Sequence, residues 1–123
     1  MARTKSPALT DAEARVMEVL WRRQEATVAD VVRSVKKRPA TYSTVQTILR
    51  ILETKGYVRH EKVERAFVYK PVVDQAQARR RALRHLVSRL FDGSPSLLVS
   101  NVLEDETIEP TELKRLKELI DRA

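Results

Sequence analysis

The sequence predicts a mainly α-helical protein with a small β-hairpin: a winged helix-turn-helix followed by a helical dimerisation arm. Three observations predict it. Residues 41–56, TYSTVQTILRILETKG, place Val45, Ile48, Leu49 and Leu52 at i, i+3, i+4 and i+7, which is one apolar face of a helix. From residue 57 the pattern changes to a period of about two in YVRHEKV and AFVYKPV, which reads as a pair of strands. The excess positive charge is confined to one part of the chain: residues 1–73 hold fifteen Lys or Arg against eight Asp or Glu, whereas residues 74–123 hold nine of each. The expected division is therefore a basic DNA-binding domain over 1–73 and a neutral, leucine-rich dimerisation domain of three helices over 74–123.

Each element has a local reason. Thr10 and Glu13 form the T-x-x-E pattern in which the threonine caps a helix start and the glutamate reaches back, so a first helix is expected over about 11–24. Val16, Val19 and Leu20 supply its buried stripe and Met17 and Trp21 broaden it, leaving Arg15, Arg22 and Arg23 toward solvent or a ligand. Thr27 and Asp30 repeat the capping arrangement. Val28, Val31, Val32 and Val35 then mark a second helix ending near Lys36, Lys37 and Arg38, with Pro39 as its stop. The third helix starts after a cap at Thr41 or Ser43 and ends at Gly56, a residue free to adopt the left-handed conformation that closes helices. The hairpin turn near Val63, Glu64 and Arg65 lacks an Asn-Gly or Gly-Gly signal, so a longer or irregular tip is expected rather than a two-residue loop.

Beyond the hairpin, Asp74 and Gln77 cap a fourth helix reaching about Phe91. It carries Leu83, Leu86, Val87, Leu90 and Phe91 on one side and Arg79, Arg80, Arg81, Arg84 and Arg89 largely on others, and Gly93 ends it. Ser94 followed by Pro95 opens a short fifth helix through Leu97, Leu98, Val99 and Val102, and a last helix starts at Pro110 to bury Leu113, Leu116, Leu119 and Ile120. Three such helices are too thin to enclose their own apolar stripes. Pairing with a second copy is the simplest cover, and folding back onto the first domain is the competing arrangement.

The chemistry points to a polyanion. Opposite the apolar stripe of the third helix lie Ser43, Gln46, Thr47 and Arg50, all hydrogen-bond donors and none acidic, as a helix in a DNA major groove requires. Arg50 and Gln46 are the candidates for bidentate base reading, with Tyr42 and Thr44 near bases or adjacent phosphates. Lys62 and Arg65 at the wing tip are placed for phosphates, a role that needs charge but not sequence discrimination. A polar outer face is also what any surface helix shows, so the alternative is a winged-helix protein-interaction module whose basic side meets an acidic partner without sequence-specific DNA binding.

Enzymatic constellations are poorly supported, so no catalytic residue, cofactor or metal is expected. His60 and His85 have no partner at ligand spacing, and the acidic stretch Glu104, Asp105, Glu106 and Glu109 lacks the glycine and spacing of a calcium loop and reads as a solvated linker. Two glycines in the whole chain leave no phosphate-cradling loop, and the absence of cysteine removes disulfides and thiolates. No apolar run reaches the roughly 20 residues of a membrane span and the start, MARTKSPALT, has no hydrophobic signal, so membrane insertion is not expected and a cytoplasmic location is. The Arg79 to Arg81 run fits a solvated face, a DNA-backbone contact or a partner for the acidic linker of a second subunit.

From Leu9 to the C-terminus the chain resembles the BlaI/MecI type of penicillinase-repressor family, through LTDAEARVMEVLW, TYSTVQTILRILETKGYV, the wing ending RAFVYKP and the tail SLLVSNVLEDETIEPTELKRLKELI. The resemblance implies a homodimer whose two winged helices bind double-stranded operator DNA at an inverted repeat and block transcription of β-lactamase or related resistance genes. It implies that the helix matching Thr41 to Leu52 enters the major groove and that the C-terminal helices form the dimer. It further implies relief by proteolytic cleavage in the arm, prompted by a membrane sensor of β-lactam. In well-known members the susceptible bond follows an asparagine and precedes a phenylalanine. Here the matching position is Asn101 followed by Val102, so the asparagine is retained and the second residue departs. A copper-sensing branch that uses a cysteine-rich tail is excluded by the lack of cysteine.

Overall fold

The computed structural model of the chain describes residues 8–35 and 41–123. They form α1 (Asp11–Arg23), β1 (Ala26–Thr27), α2 (Val28–Ser34), α3 (Tyr42–Thr54), β2 (Val58–Val63), β3 (Ala66–Pro71), α4 (Gln75–Leu90), α5 (Pro95–Leu103) and α6 (Pro110–Arg122). The chain divides into two compact units between His85 and Leu86, within α4.

In the first unit the helix starts follow the capping chemistry. Thr10 accepts from the Glu13 N–H at 3.1 Å while Glu13 accepts from the Thr10 N–H at 2.9 Å, and Thr27 and Asp30 reproduce the same box. The Thr27 backbone N–H is also the main reason why the Asp30 carboxyl titrates below the ordinary carboxylate range, with Arg23 and Arg33 adding to the effect. Thr41 alone caps α3, accepting from the Thr44 N–H. At the other end of α3, Gly56 takes a φ of 84°, and the N–H groups of Gly56 and Tyr57 donate to the carbonyls of Glu53 and Leu52. Only a residue without a Cβ adopts that backbone at little cost, and the paired bonds satisfy carbonyls the helix end leaves open. Val35 is extended, so α2 stops before the basic cluster, while Lys36, Lys37, Arg38 and Pro39 lie outside the described residues.

The sheet corrects two expectations. It has three strands rather than two, in the order β1-β3-β2, because Ala26 and Thr27 pair antiparallel with Tyr69 and Val68. The hairpin tip is tight, since Val63 pairs with Ala66 and leaves only Glu64 and Arg65 between them. Glu64 supplies the left-handed residue, at φ 57°, that a glycine or asparagine more often provides. The register that buries Val58 and Tyr69 sets the strand ends and outweighs the local preference of the turn residue.

The core of this unit joins all its layers: Val16, Met17, Val19 and Leu20 of α1, Val28 and Val31 of α2, Val45, Leu49 and Leu52 of α3, and Tyr57, Val58, Tyr69, Val73 and Ala78. Burying each large side chain of this set contributes about 1.5–3 kcal/mol. Trp21 ties α1 to the exit of the hairpin by donating from Nε1 to the Val73 carbonyl at 2.9 Å. One ion pair is enclosed with the core: Lys55 Nζ reaches Glu13 Oε1 at 2.7 Å and the Ala8 carbonyl at 3.0 Å. Both side chains are less than a tenth exposed, so the cation and the carboxylate depend on each other.

The second unit begins in the last turns of α4. Ser94 accepts from the Leu97 N–H and Pro95 opens α5, as expected. Between α5 and α6, Asp105 accepts from both the hydroxyl and the N–H of Thr107, which hold its carboxyl below the ordinary range. The expected burial of the α6 stripe is not met within one chain. Leu113 and Leu116 are half-buried, Leu119 and Ile120 are exposed, and no described residue beyond Leu86 is buried. Two and a half short helices have too little facing surface to close over their own stripes.

Candidate nucleic-acid interface

The outer face of α3 is fixed by its inner one. With Val45, Leu49 and Leu52 buried, the helical period turns Tyr42, Ser43, Thr47 and Arg50 outward, where all are exposed, and leaves Gln46 half-buried at the edge of the core. Thr44 is also exposed and is engaged by the cap, since its N–H donates to Thr41 Oγ1 and its own hydroxyl accepts from Thr41 at 2.8 Å.

The wing presents two different faces. Strand alternation places Val58, His60 and Lys62 of β2 with Phe67, Tyr69 and Pro71 of β3 on one side, and Arg59, Glu61, Val63, Ala66, Val68 and Lys70 on the other. On the second side Lys70 bridges Glu61 at 2.7 Å and Glu25 at 3.7 Å. The hydrogen bond between Lys70 and Glu61 lowers the glutamate's titration and raises the lysine's. That side is electrically paired. The first side carries a contact between His60 and Glu53 at its root, while Lys62 borders a groove with no carboxylate among the described residues of its lining.

This groove, of about 400 Å³, is lined by Thr27, Val28 and Ala29 of β1 and α2, Tyr42 and Gln46 of α3, and Lys62, Arg65, Ala66 and Phe67 of the wing. Four of the candidate residues therefore border one space: Tyr42, Gln46, Lys62 and Arg65. Ser43, Thr44, Thr47 and Arg50 share α3 with them but do not line it. The walls from α2 and Phe67 were not among the sequence candidates. Phe67 had a signal, since the strand register sets it opposite Lys62, whereas the α2 wall depends on packing that no local pattern carries. Chemically, the groove offers two cations, an amide and a phenol over apolar walls, a lining suited to an anionic, partly apolar strand such as a sugar-phosphate backbone.

At the root of the wing His60 Nδ1 lies 2.8 and 2.9 Å from the two carboxylate oxygens of Glu53, and its ring packs 4.6 Å from Phe67 and 5.3 Å from Tyr69. Burial, with the Glu53 charge second, raises the Tyr69 phenol above its ordinary titration range. His60, which has no partner at ligand spacing in the sequence, thus has a defined partner on α3.

The remaining candidates lie along the arm. Leu83, Leu86, Leu90, Leu97, Leu119 and Ile120 are exposed, and Val87, Phe91, Leu98, Leu113 and Leu116 are half-buried. Asn101 is exposed in α5 with its Nδ2 donating to the Leu97 carbonyl at 2.8 Å, and Val102 beside it is half-buried. In the Arg79 to Arg81 run, Arg81 sits over the Tyr57 ring at 5.2 Å, while Arg79 and Arg80 are exposed. Among the described residues, no three His, Cys, Asp or Glu side chains converge to hold a metal ion, and no helix is long and apolar enough to cross a membrane.

Comparison with known proteins bears on the same architecture. The family model described as penicillinase repressor matches residues 9–122. The chain is 30% identical over 119 residues to the penicillinase repressor of Bacillus licheniformis, covering 95% of this chain and 92% of that protein. It is 21% identical to the methicillin resistance regulatory protein MecI of Mammaliicoccus sciuri, covering 96% and 97%. Among solved structures, the DNA-binding domain of the repressor BlaI superposes with a TM-score of 0.52 at 34% identity, over 61% of this chain and 93% of that one. The monomeric form of Bacillus licheniformis BlaI in complex with the blaP half-operator gives a TM-score of 0.50 at 35% identity, over 59% and 90%. The superposed domain has the winged-helix fold, as does the first unit here.

Proposed function

The chain belongs to the penicillinase repressor family, and from that premise we propose that it is a homodimeric transcriptional repressor that binds an inverted-repeat operator, of β-lactamase or related resistance genes. The observation that carries this reading is the groove: Tyr42 and Gln46 of α3 and Lys62 and Arg65 of the wing border one space with no carboxylate among the described residues of its lining. Its relative solved with a half-operator supports the same use of the fold. Residues 1–73 act as the DNA-binding domain and 74–123 as the dimerisation domain, without catalysis and in the cytoplasm. Gln46 and Arg50 read bases, Tyr42, Ser43, Thr44 and Thr47 contact bases or the phosphates beside them, and Lys62 and Arg65 hold the backbone. Two-fold symmetry sets half-site centres about 34 Å apart or a multiple of it.

The arm supplies the partner and the release. The exposed Leu86, Leu90, Leu97, Leu119 and Ile120, with the half-buried stripe beside them, cover each other across two subunits. A protease of a membrane sensor system cuts between Asn101 and Val102. That bond lies inside α5, so cutting requires the helix to open locally before an extended strand reaches the protease. Loss of α6 then weakens the dimer, and each winged helix binds its half-site alone with lower affinity.

The test is recovery of genomic DNA by the purified protein at about 150 mM salt, followed by alanine substitution. Enriched inverted repeats upstream of a few genes are expected. Gln46→Ala or Arg50→Ala then costs about 1–3 kcal/mol and relaxes preference at one base pair, whereas Lys62→Ala or Arg65→Ala weakens all sequences alike. Random recovery of DNA points instead to a module that meets an acidic protein. For release, the mass of the protein is followed in cells given a β-lactam: a cut at Asn101 is expected, and an intact chain during derepression removes the cleavage step.

A further inference from the structure

We infer that Glu53 and His60 are positioning residues for DNA binding: they join the wing to α3 and so hold Lys62 and Arg65 in place around the groove. The inference rests on the DNA-binding reading above. Glu53 lies in the last turn of α3, the helix that carries the candidate base readers, and His60 is the third residue of β2. The two carboxylate oxygens both lie within 3 Å of Nδ1, and the imidazole is backed by Phe67 and Tyr69 of β3, so one ring is held from the helix and from the neighbouring strand at once. Each side chain of the pair is about one third exposed, 33% for His60 and 35% for Glu53, so water screens the contact only in part.

The consequence lies two residues further along the strand. Lys62 shares the His60 face of β2, and alternation carries any displacement of His60 to it over roughly 7 Å. Phe67, which touches the imidazole, also lines the groove. A wing fixed in the shape that binds DNA loses less freedom on binding than one that samples several, so the joint raises affinity without touching the ligand.

The joint pairs a histidine with a carboxylate, a combination that pH can probe. Histidine switches between neutral and cationic forms between about pH 5 and 8, and a cationic donor strengthens a hydrogen bond to a carboxylate. Among the described residues, the groups that face the imidazole from each side are few. From α3 come Glu53 and, near the Tyr69 phenol, Arg50 and Tyr42. From β3 comes Tyr69, a phenol neutral across this range whose titration burial raises further, and from its own strand Lys62. Glu53 is the only anion of the set, and Arg59, Glu61 and Lys70 point to the other side of the wing. Operator affinity should therefore be higher at pH 6 than at pH 8, with the direction set by the Glu53–His60 pair.

The experiment uses the full chain at constant ionic strength. The probe is a duplex carrying the inverted repeat recovered from genomic DNA, with a scrambled duplex as control, and the dissociation constant is measured from pH 5.5 to 8. For the unsubstituted protein a two- to fivefold weakening between about pH 6 and 8 is expected, the range a partly screened ion pair supplies. His60→Gln and Glu53→Gln should each flatten that profile, whereas His85→Gln should keep it. In the DNA-free protein, the backbone amide resonances of Lys62 and Arg65 should follow the titration of the His60 imidazole and cease to do so in Glu53→Gln. Equal pH profiles for the unsubstituted protein and His60→Gln, or Lys62 and Arg65 amides indifferent to the imidazole, overturn the joint. Coupled amides in a protein that prefers no DNA sequence leave the joint standing and overturn the DNA-binding reading instead.

Discussion

The two units of this chain are built from equally well-formed helices and differ in what those helices enclose. Caps are in place on both sides of the division: Thr10, Thr27 and Thr41 in the first unit, Ser94 in the second. Yet every buried side chain among the described residues lies between Glu13 and Ala78, and none lies beyond Leu86. The difference teaches that caps and amphipathic stripes specify helices, whereas a fold requires surfaces that meet. Three helices, the start of α4 and a sheet converge in the first unit. The arm presents apolar stripes that its own helices leave exposed or half-buried, and the proposed dimer would cover them.

The largest test of that comparison is in the enclosed ion pair. Lys55→Met leaves the Glu13 carboxylate buried without its cation, with the Thr10 N–H as its remaining partner among the described residues. A loss of about 3–5 kcal/mol is expected, read as a fall in the urea midpoint of the first unit. Glu13→Gln in the same chain should recover part of it, because the uncompensated charge is gone. A loss below about 1 kcal/mol would break the comparison, by showing that this unit tolerates an unpaired ion as a loosely packed arm does.

Next in size is the arm. Replacing both Leu119 and Ile120 by alanine should raise the dimer dissociation constant by roughly 10- to 100-fold, about 1.4–3 kcal/mol of apolar contact. The urea midpoint of the first unit, measured on monomer, should stay where it was. Sedimentation equilibrium reads the first quantity. If the association is unchanged and the first unit loses stability, the stripe covers its own chain rather than a second copy.

How much of this was legible in the sequence follows the same divide between local and distant. The boxes of Thr10 with Glu13, Thr27 with Asp30 and Asp74 with Gln77 are written within four residues and form as read. The outward set on α3 was legible for the same reason, because helical period alone turns it away from Val45, Leu49 and Leu52. The strand Ala26–Thr27 was not, since two residues carry no alternation and their partner lies beyond two helices. Lys55 with Glu13, 42 residues apart, left no local trace, nor did the approach of α2 to the wing that completes the groove. His60 was visible as a residue but not as a joint, because Glu53 reaches it only once α3 and β2 are packed.

The smallest effect concerns a place where packing overrides local preference. Glu64 holds a φ of 57° at the hairpin tip, a conformation that costs a side-chain-bearing residue about 1 kcal/mol and glycine little. Glu64→Gly should therefore stabilise the first unit by roughly 0.5–1 kcal/mol despite the entropy that glycine adds to the unfolded chain, raising its melting temperature by about 2–5 °C. Any association through the arm should be as before, which sharpens the contrast between a unit stabilised from within and one whose stripes the proposed dimer covers. Glu64→Gly also removes a negative charge beside Arg65, so charge and conformation have to be separated. Glu64→Gln removes the charge and keeps the backbone cost, whereas Glu64→Asn removes the charge and accepts the left-handed region more readily. Gains in the order Gly, Asn, Gln assign the effect to the backbone. Equal gains from all three assign it to the charge, and the register of the strands then holds Glu64 in place at no measurable cost.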